Sequence, residues 1–253
     1  MWHGDYKFLL KNLILKDFRI RYRNMSLGMF WSLLNPLIML GVYTFVFTKI
    51  FTNTTPHWSV FILCGIVPFN FFSMAWGSAT TSMVDNAGLV KRVQVPRQVV
   101  PIASVLSNCL HLIIQIVVLL IVALMTGVNI SVSWLWLPVI WALEIVFVCG
   151  LGLLFSSINV YIRDTRYIVE SANIVLFWLV PIIYPFSMIP QQYRDIYQYN
   201  PVAALVLAMR EVILEGNAPS GVLLAKLALV SFMTLAVGWL FFSRVKGRFY
   251  DFL

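Results

Sequence analysis

Few residues in this chain have the types and spacing that catalysis needs. The dipeptide Gly-Lys is missing altogether, so the chain has no phosphate-binding loop with which to hold ATP. The His-Glu-x-x-His pattern of zinc peptidases, the Gly-x-Ser-x-Gly pattern of serine hydrolases and Asp-x-Asp pairs are missing as well. These absences predict that the chain is not an enzyme.

The residue types that ligate metals are too scattered to predict a site. The three cysteines lie inside apolar stretches and make no Cys-x-x-Cys pair, which predicts small buried side chains rather than a zinc site or a disulfide framework. The three histidines are far apart in sequence, and His111 is expected to be a hydrogen-bonded core residue. We therefore expect this chain to hold no metal ion and no cofactor.

One acid is unusual because of its surroundings. Glu144 lies in the middle of the apolar stretch VIWALEIVFV, where a charge is costly, so it should face the interior of a helix bundle or a cavity, or be protonated. A functional and a structural role stay equally open for it. A single acid without a chain of partners does not favour a proton-driven pump.

The composition explains how such a stretch can exist. Hydrophobic residues make up 60% of the chain and charged residues 11%, with a mean hydropathy of +0.86, whereas soluble domains carry about 25% charge. The sequence therefore predicts an all-α integral membrane protein. Six apolar runs are long enough to span a bilayer, and they lie at 29–51, 58–80, 99–126, 134–159, 167–186 and 221–243.

The basic residues predict the orientation. Fourteen of the eighteen Lys and Arg residues lie in the N-terminal segment, the second and fourth loops and the C-terminal tail, which all face the same side. By the positive-inside rule this side is the cytoplasm, so both termini are predicted to be cytoplasmic. The net charge of +8 then faces anionic headgroups, and it calls for no nucleic acid partner.

The N-terminal segment 1–28 has two chemically different faces. Lys16, Arg19 and Arg23 fall within a narrow arc of a helix, while leucine, isoleucine and phenylalanine side chains cover a broad second face. This pattern predicts an amphipathic helix lying in the membrane interface. Two interpretations stay open, namely a plain interfacial anchor and a basic face that also contacts an anionic lipid or a cytoplasmic partner.

The fifth apolar run is interrupted by prolines, in the stretch FWLVPIIYPFSMIP. Because proline removes a backbone donor, helix five should break near Pro181, and the freed backbone groups must be covered by protein or line a cavity. The following segment 187–220 is predicted to carry short re-entrant or extracytoplasmic helices that act as a gate. A simple proline kink followed by a surface helix is the alternative.

Four stretches along the chain resemble one family. They are LKDFRIRYRNMSLGMFWSLLNPLIMLGVYTFVF, DNAGLVKRVQVPRQVVPIASVLSN, NVYIRDTRYIVE and YPFSMIPQQYRDIYQYNPVAALVLAMREVILEG. They are similar to signatures of the permeases of ABC-2 type polysaccharide exporters, and they occur in the same order along the chain and on the same sides of the membrane. The resemblance covers nearly the whole chain, with residues 29–253 as the six-helix transmembrane domain.

The resemblance implies a homodimer of six-helix subunits in a bacterial inner membrane, with two separate ATPase subunits on the cytoplasmic side. Those subunits would bind ATP and Mg, which accounts for the missing phosphate-binding loop. The cargo would be a lipid-linked polysaccharide of O-antigen type. Export of teichoic acid or capsular polysaccharide is the near alternative, and a membrane-embedded glycan-processing enzyme is an alternative from a different class.

In such an exporter the cytoplasmic loop 81–97 is the natural contact with the ATPases, because it is basic and lies on the inner side. A solvated basic loop that only sets the topology is the alternative. The candidate coupling residues in this loop and in the next inner loop are Asn86, Leu89, Lys91, Arg92, Pro96, Arg97, Arg163 and Asp164.

Two further sets of residues could contact the cargo. The basic side chains of Lys16, Arg19 and Arg23 could meet a lipid pyrophosphate through charge-assisted hydrogen bonds. Aromatic rings offer flat contacts along which sugars could slide, and the candidates are Tyr43, Trp76 and Tyr184. Packing or a place in the interfacial belt is the alternative for these rings.

Overall fold

The computed structural model describes residues 6–22, 30–50, 55–92 and 96–253, and in these ranges the chain forms helices and turns without a β-strand. The predicted all-α class is therefore confirmed. The helices are α1 (Tyr6–Tyr22), α2 (Phe30–Phe45), α3 (Trp58–Asp85), α4 (Ala87–Arg92), α5 (Val99–Met125), α6 (Leu137–Tyr161), α7 (Thr165–Leu179), α8 (Gln191–Tyr199), α9 (Pro201–Ile213), α10 (Gly221–Val245) and α11 (Phe249–Phe252). A π-helical turn continues α2 over Val46–Ile50, and 3-10 turns cover Val132–Trp136, Phe186–Met188 and Lys246–Arg248.

Four helices of the described chain are long and apolar enough to cross a membrane, namely α3, α5, α6 with its preceding turn, and α10. Helix α7 has only 15 residues, or roughly 22 Å of length, whereas the hydrocarbon core is about 30 Å thick. Helix α2 has 16 residues before its π-helical turn. The membrane class is thus supported, and the count of six spans stays a prediction.

Helix α3 forms the centre of the bundle. It contacts α2, α5, α6, α7 and α9. Its first half is buried on nearly every side, whereas in its second half a stripe that includes Ser73, Met74 and Gly77 is less buried. A helix that is apolar all round is expected where neighbours surround it. Ser78 and Thr81, with Asn86 just beyond the helix, make its C-terminal end more polar than its middle.

Helix α1 packs along the beginning of α5 through one apolar face. Leu13 is buried against Val99 and Ala103, and Leu9 and Leu10 pack beside it. On the other side of the helix, three polar side chains are exposed, namely those of Asn12, Lys16 and Arg19. The predicted division of this segment into an apolar and a basic face is therefore present in the described part, 6–22.

The backbones of α6 and α10 approach each other at two glycines. A Cβ atom added to Gly238 would lie 2.2 Å from the carbonyl oxygen of Gly150, and one added to Gly150 would lie 2.5 Å from the backbone nitrogen of Leu235. Helices in lipid gain little from the hydrophobic effect when they associate, so close packing over small residues supplies much of the attraction. This contact therefore fixes α10 against the bundle.

We predict that Gly238→Ala destabilises the protein by about 1–3 kcal/mol, the usual cost of overpacking a tight contact. The measurement is the midpoint of thermal unfolding in nanodiscs. Gly77→Ala is the matched control, because Gly77 also lies inside a helix but no atom lies within 4 Å of an added Cβ. Equal midpoints for the two variants would contradict the close contact between α6 and α10.

Candidate functional site

The C-terminal end of α3, which is predicted to face the cytoplasm, is joined to α1 by a polar contact. Asn86 lies in the turn between α3 and α4, where its Nδ2 donates to the carbonyl of Ser82 at 2.8 Å. Its Oδ1 accepts a hydrogen bond from Nζ of Lys16. The structure thus brings together one residue predicted for ATPase coupling and one predicted for lipid contact.

A polar cavity of about 410 Å³ lies beside this contact, between α1, α3 and α5. Its walls are unusual in a bundle this apolar, because nearly every lining side chain can form hydrogen bonds. The lining residues are Lys16, Asp17, Ile20, Ser78, Thr81, Ser82, Asp85, Asn86, Ser104 and Ser107. Such a cavity can hold a hydrated polar group at the inner end of the helices.

The other coupling candidates in loop 81–97 are spread around α4. Leu89 is half-buried against the apolar contact of α1 with α5. Lys91 is exposed, with its Nζ 5.9 Å from the centroid of the Tyr250 ring. Pro96 precedes α5 and its carbonyl accepts from Val99, while Nη1 of Arg97 donates to the carbonyl of Lys246.

The second inner loop lies between α6 and α7. Arg163 is exposed, and its Nη2 donates to the carbonyl of Phe252 at 3.1 Å. Asp164 is exposed at the start of α7, where its carbonyl accepts from the backbone nitrogen of Tyr167 at 2.9 Å. Arg163 therefore approaches the C-terminal tail, as Arg97 does.

The remaining basic candidates divide into two groups. Arg19 is exposed on α1, one turn from Lys16. Arg23 and the side chain of Arg92 lie outside the described part of the chain.

At the opposite end of the bundle, α7 ends at Leu179, two residues before Pro181, as predicted. The hydroxyl of Tyr184 lies 3.0 Å from the carbonyl oxygen of Trp178 and 3.2 Å from that of Leu179. The last carbonyls of a helix have no partner within the helix itself. Tyr184 therefore caps the broken end of α7.

Arg210, on α9, covers a carbonyl beyond this break. Its Nη2 donates to the carbonyl of Ile182 at 2.7 Å, and its guanidinium carbon lies 3.5 Å from the centroid of the Phe61 ring. The residue is only 6% exposed, and its Nε and Nη1 have no hydrogen-bond partner among the described residues. One side chain thus ties together α3, α9 and the irregular segment after α7.

The charge of Arg210 persists despite this burial. Arg210 lies outside the four long apolar helices, and burial lowers the pKa of its guanidinium to about 10, so it stays protonated at neutral pH. It lines a cavity of about 390 Å³ together with Phe186, Glu211 and Glu215. The outer end of the bundle therefore carries a buried cation beside acidic groups.

The aromatic candidates differ in exposure. Tyr43 is half-buried, and its ring lies 6.5 Å from that of Phe177. Trp76 is 5% exposed and packs on Phe155 with ring centroids 5.1 Å apart. Tyr184 is half-buried and its hydroxyl serves the cap of α7.

Two features of the site were not predicted from the sequence. Arg210 is not among the predicted site residues, although an arginine inside the apolar helix VAALVLAMREVI is itself a signal of a special role. The contacts of the C-terminal tail carry no sequence signal, since they join residues about 90 to 150 positions apart.

Glu144 is 0% exposed, as predicted, and neither of its carboxylate oxygens has a hydrogen-bond partner among the described residues.

The described ranges contain no group of three or more His, Cys, Asp or Glu residues that could hold a metal ion. The arrangement offers hydrogen-bonding surfaces and helix contacts at both ends of the bundle.

Several known proteins are similar to this chain over most of its length. The chain is 30% identical over 246 residues to the O-antigen export system permease protein RfbA of Klebsiella pneumoniae, covering 97% of this chain and 95% of that protein. The RfbA protein of Myxococcus xanthus is 28% identical over 243 residues, covering 95% of this chain and 94% of its own length. The polysialic acid transport protein KpsM of Escherichia coli is 27% identical over 237 residues, covering 92% and 91% of the two chains.

The family described as ABC-2 type transporter matches residues 9–214, which include both ends of the bundle described above. This match spans well over half of the chain, and the relatives align with nearly all of it. The chain therefore belongs to the ABC-2 type transporter family.

Proposed function

We propose that this chain is the permease subunit of an exporter that carries a lipid-linked polysaccharide of O-antigen type across a bacterial inner membrane. The observation that carries the proposal is its similarity, over nearly the whole length of both chains, to permeases of O-antigen export systems. The chain has no phosphate-binding loop, so separate ATPase subunits on the cytoplasmic side supply the energy. ATP and Mg are bound by those subunits.

The working unit in this proposal is a homodimer of six-span subunits with cytoplasmic termini. Helices α2 and α7 are the two spans beyond the four long apolar helices, and α7 continues outward through the irregular segment before α8. Helices α8 and α9 form the gate on the outer side. The burial of α9 against α3, α6 and α10 supports this role, because a helix too short to span is held inside the bundle.

Coupling to the ATPases runs through loop 81–97 and the loop between α6 and α7. The hydrogen bond from Lys16 to Asn86 supports a joint movement of α1 and the end of α3. The polar cavity beside this bond gives the cargo's headgroup a wet site at the inner face, and Lys16, Arg19 and Arg23 supply positive charge for its pyrophosphate.

Among the three aromatic candidates for the glycan path, Tyr43 and Tyr184 are the better supported. Both rings are half-buried and can be reached by a sugar. The burial of Trp76 supports a packing role for it.

Export of a capsular polysaccharide is a second candidate function. It is favoured by the similarity to KpsM, whose name assigns it to polysialic acid transport. Teichoic acid export would use the same scaffold. A glycan-processing enzyme is less well supported, because no catalytic pattern occurs in the sequence.

To test the function, the chain is purified with its ATPase and reconstituted in nanodiscs. We expect a lipid-linked O-antigen to stimulate ATP hydrolysis more than a capsular polysaccharide or a teichoic acid precursor does. Stimulation by the capsular precursor alone would favour the second candidate. Release of a modified glycan without ATP would contradict export altogether.

The contact between Lys16 and Asn86 gives a second prediction. Lys16→Ala and Asn86→Ala should each reduce the glycan-stimulated part of ATP hydrolysis. The double variant should lose no more of this stimulation than the more impaired of the two single variants, because both substitutions remove the same hydrogen bond. Lys11→Ala, another exposed lysine of α1, is the control and should behave as wild type. Additive losses would mean that the two residues act separately.

A third prediction concerns the outer gate. Arg210→Gln should lower the free energy of unfolding by about 1–3 kcal/mol, because the buried carbonyl of Ile182 loses its donor. Arg194→Gln is the matched control, since Arg194 also donates to two backbone carbonyls, those of Ser187 and Ile189, but is part-exposed so that water can replace it. Thermal unfolding in nanodiscs measures both, and an equal effect would contradict a special role for Arg210.

A further inference from the structure

The last residues of the chain lie against both inner loops. We name Lys246–Phe252, which comprises the final 3-10 turn and α11, the C-terminal clasp. In the sequence this segment is only a basic tail that helps to set the orientation. In the structure it makes polar, aromatic and apolar contacts with residues far away in the chain.

The clasp is bound to the coupling loop by two basic side chains. Nη1 of Arg97 donates to the carbonyl of Lys246. Nζ of Lys91 lies 5.9 Å from the centroid of the Tyr250 ring, within the range of a cation–π interaction. Both basic residues belong to loop 81–97, so two of its candidate coupling residues already have a partner inside the chain.

The clasp is bound to the loop between α6 and α7 by a second set of contacts. Nη2 of Arg163 donates to the carbonyl of Phe252 at 3.1 Å. Beside this loop, the ring of Tyr161, the last residue of α6, lies 4.7 Å from the Phe252 ring in an edge-on arrangement. The Tyr161 hydroxyl also donates to the carbonyl of Val245, the last residue of α10 before the clasp, at 3.0 Å. The clasp therefore spans the gap between the two inner loops.

An apolar core underlies these polar contacts. Phe249 is 0% exposed, although it lies four residues from the end of the chain. It packs in one cluster with Val90 of α4, Val160 of α6 and Phe242 of α10. This burial holds the clasp against the helices, because releasing Phe249 would return a large apolar side chain to water.

We propose that the C-terminal clasp is a positioning element that holds loop 81–97 and the α6–α7 loop at a fixed separation, so that the partner ATPase meets them as one surface. This inference rests on the proposed function, because it gives the two loops a coupling role. Phe249 is the apolar anchor of the clasp, and Arg97 and Arg163 are its polar links. None of these residues needs to contact the cargo.

The separation of the loops is tested directly by distances between spin labels. The three native cysteines are replaced, and labels are attached at Gly88→Cys in α4 and Arg166→Cys in α7, two exposed positions outside the clasp. Labelled chains are diluted with excess unlabelled chain, so that each measured pair lies in one protomer of the complete complex with its ATPase. Pulsed dipolar spectroscopy then gives the distribution of distances.

We expect a single narrow distribution in the parent protein, and loss of that narrow distribution in Phe249→Ala and in Arg97→Gln. Phe249→Leu should restore it, because leucine can fill the apolar site. Arg248→Ala, an exposed residue of the clasp, is the control and should leave it unchanged. Arg97→Gln changes no core residue, so it keeps the test valid if Phe249→Ala fails to fold. Unchanged distributions in Arg97→Gln and in folded Phe249→Ala would overturn the proposal.

Hydrolysis measurements on the same complexes separate this inference from the proposed function. We expect folded Phe249→Ala, which changes no candidate coupling residue, to keep basal ATP hydrolysis and to lose its stimulation by the lipid-linked glycan. A broadened distribution with full stimulation would support the clasp as a link between the loops and overturn its role in coupling. The proposed export function is tested separately, by whether the lipid-linked glycan stimulates ATP hydrolysis in the parent complex, so this result would not contradict it.

Discussion

The structure depends on the rule that every backbone polar group in a membrane must find a partner inside the protein. Helices meet this rule along their length, and a helix that stops inside the bundle does not. Helix α7 stops at Leu179, and the rule is met there by two side chains, the hydroxyl of Tyr184 and the guanidinium of Arg210. The carbonyls of Trp178, Leu179 and Ile182 therefore have partners inside the protein.

The inner end of the bundle solves a similar problem by different means. Water is available there, so loops need no partner, and yet side chains still bind backbone carbonyls across long distances in sequence. Arg97 and Arg163 donate to carbonyls of the C-terminal tail, and Phe249 is buried between the loops that carry them. Solvent could form hydrogen bonds with these groups equally well. The contacts therefore matter because they fix the position of the C-terminal tail against the two loops.

Much of the fold could be predicted from local sequence, and most of the site could not. The apolar runs predicted the long helices to within a few residues, and the prolines predicted the end of α7, because both signals act through the backbone nearby. The pairing of Lys16 with Asn86 joins residues 70 positions apart. The contacts of Arg210 join α9 to α3 and to the segment after α7. Such contacts depend on how helices pack, which periodicity alone does not encode. Trp76 illustrates the same limit, since a ring suited to sugars is equally suited to the core.

Helix α3 connects the two ends in a way that follows from its own chemistry. Its inner end carries Asn86, and its outer turns carry Phe61, which faces Arg210, and Gly65, where an added Cβ would lie 2.9 Å from the side chain of Ile182. Between them, Pro68 removes one bond of the helical ladder. The turns around Phe61 and Gly65 are therefore held by Arg210 and by the segment after α7 as well as by the helix itself. These turns are buried on nearly every side, whereas the half of α3 after Phe72 keeps a less buried stripe that includes Met74. A movement of the end near Asn86 is then resisted or transmitted through the closely packed turns.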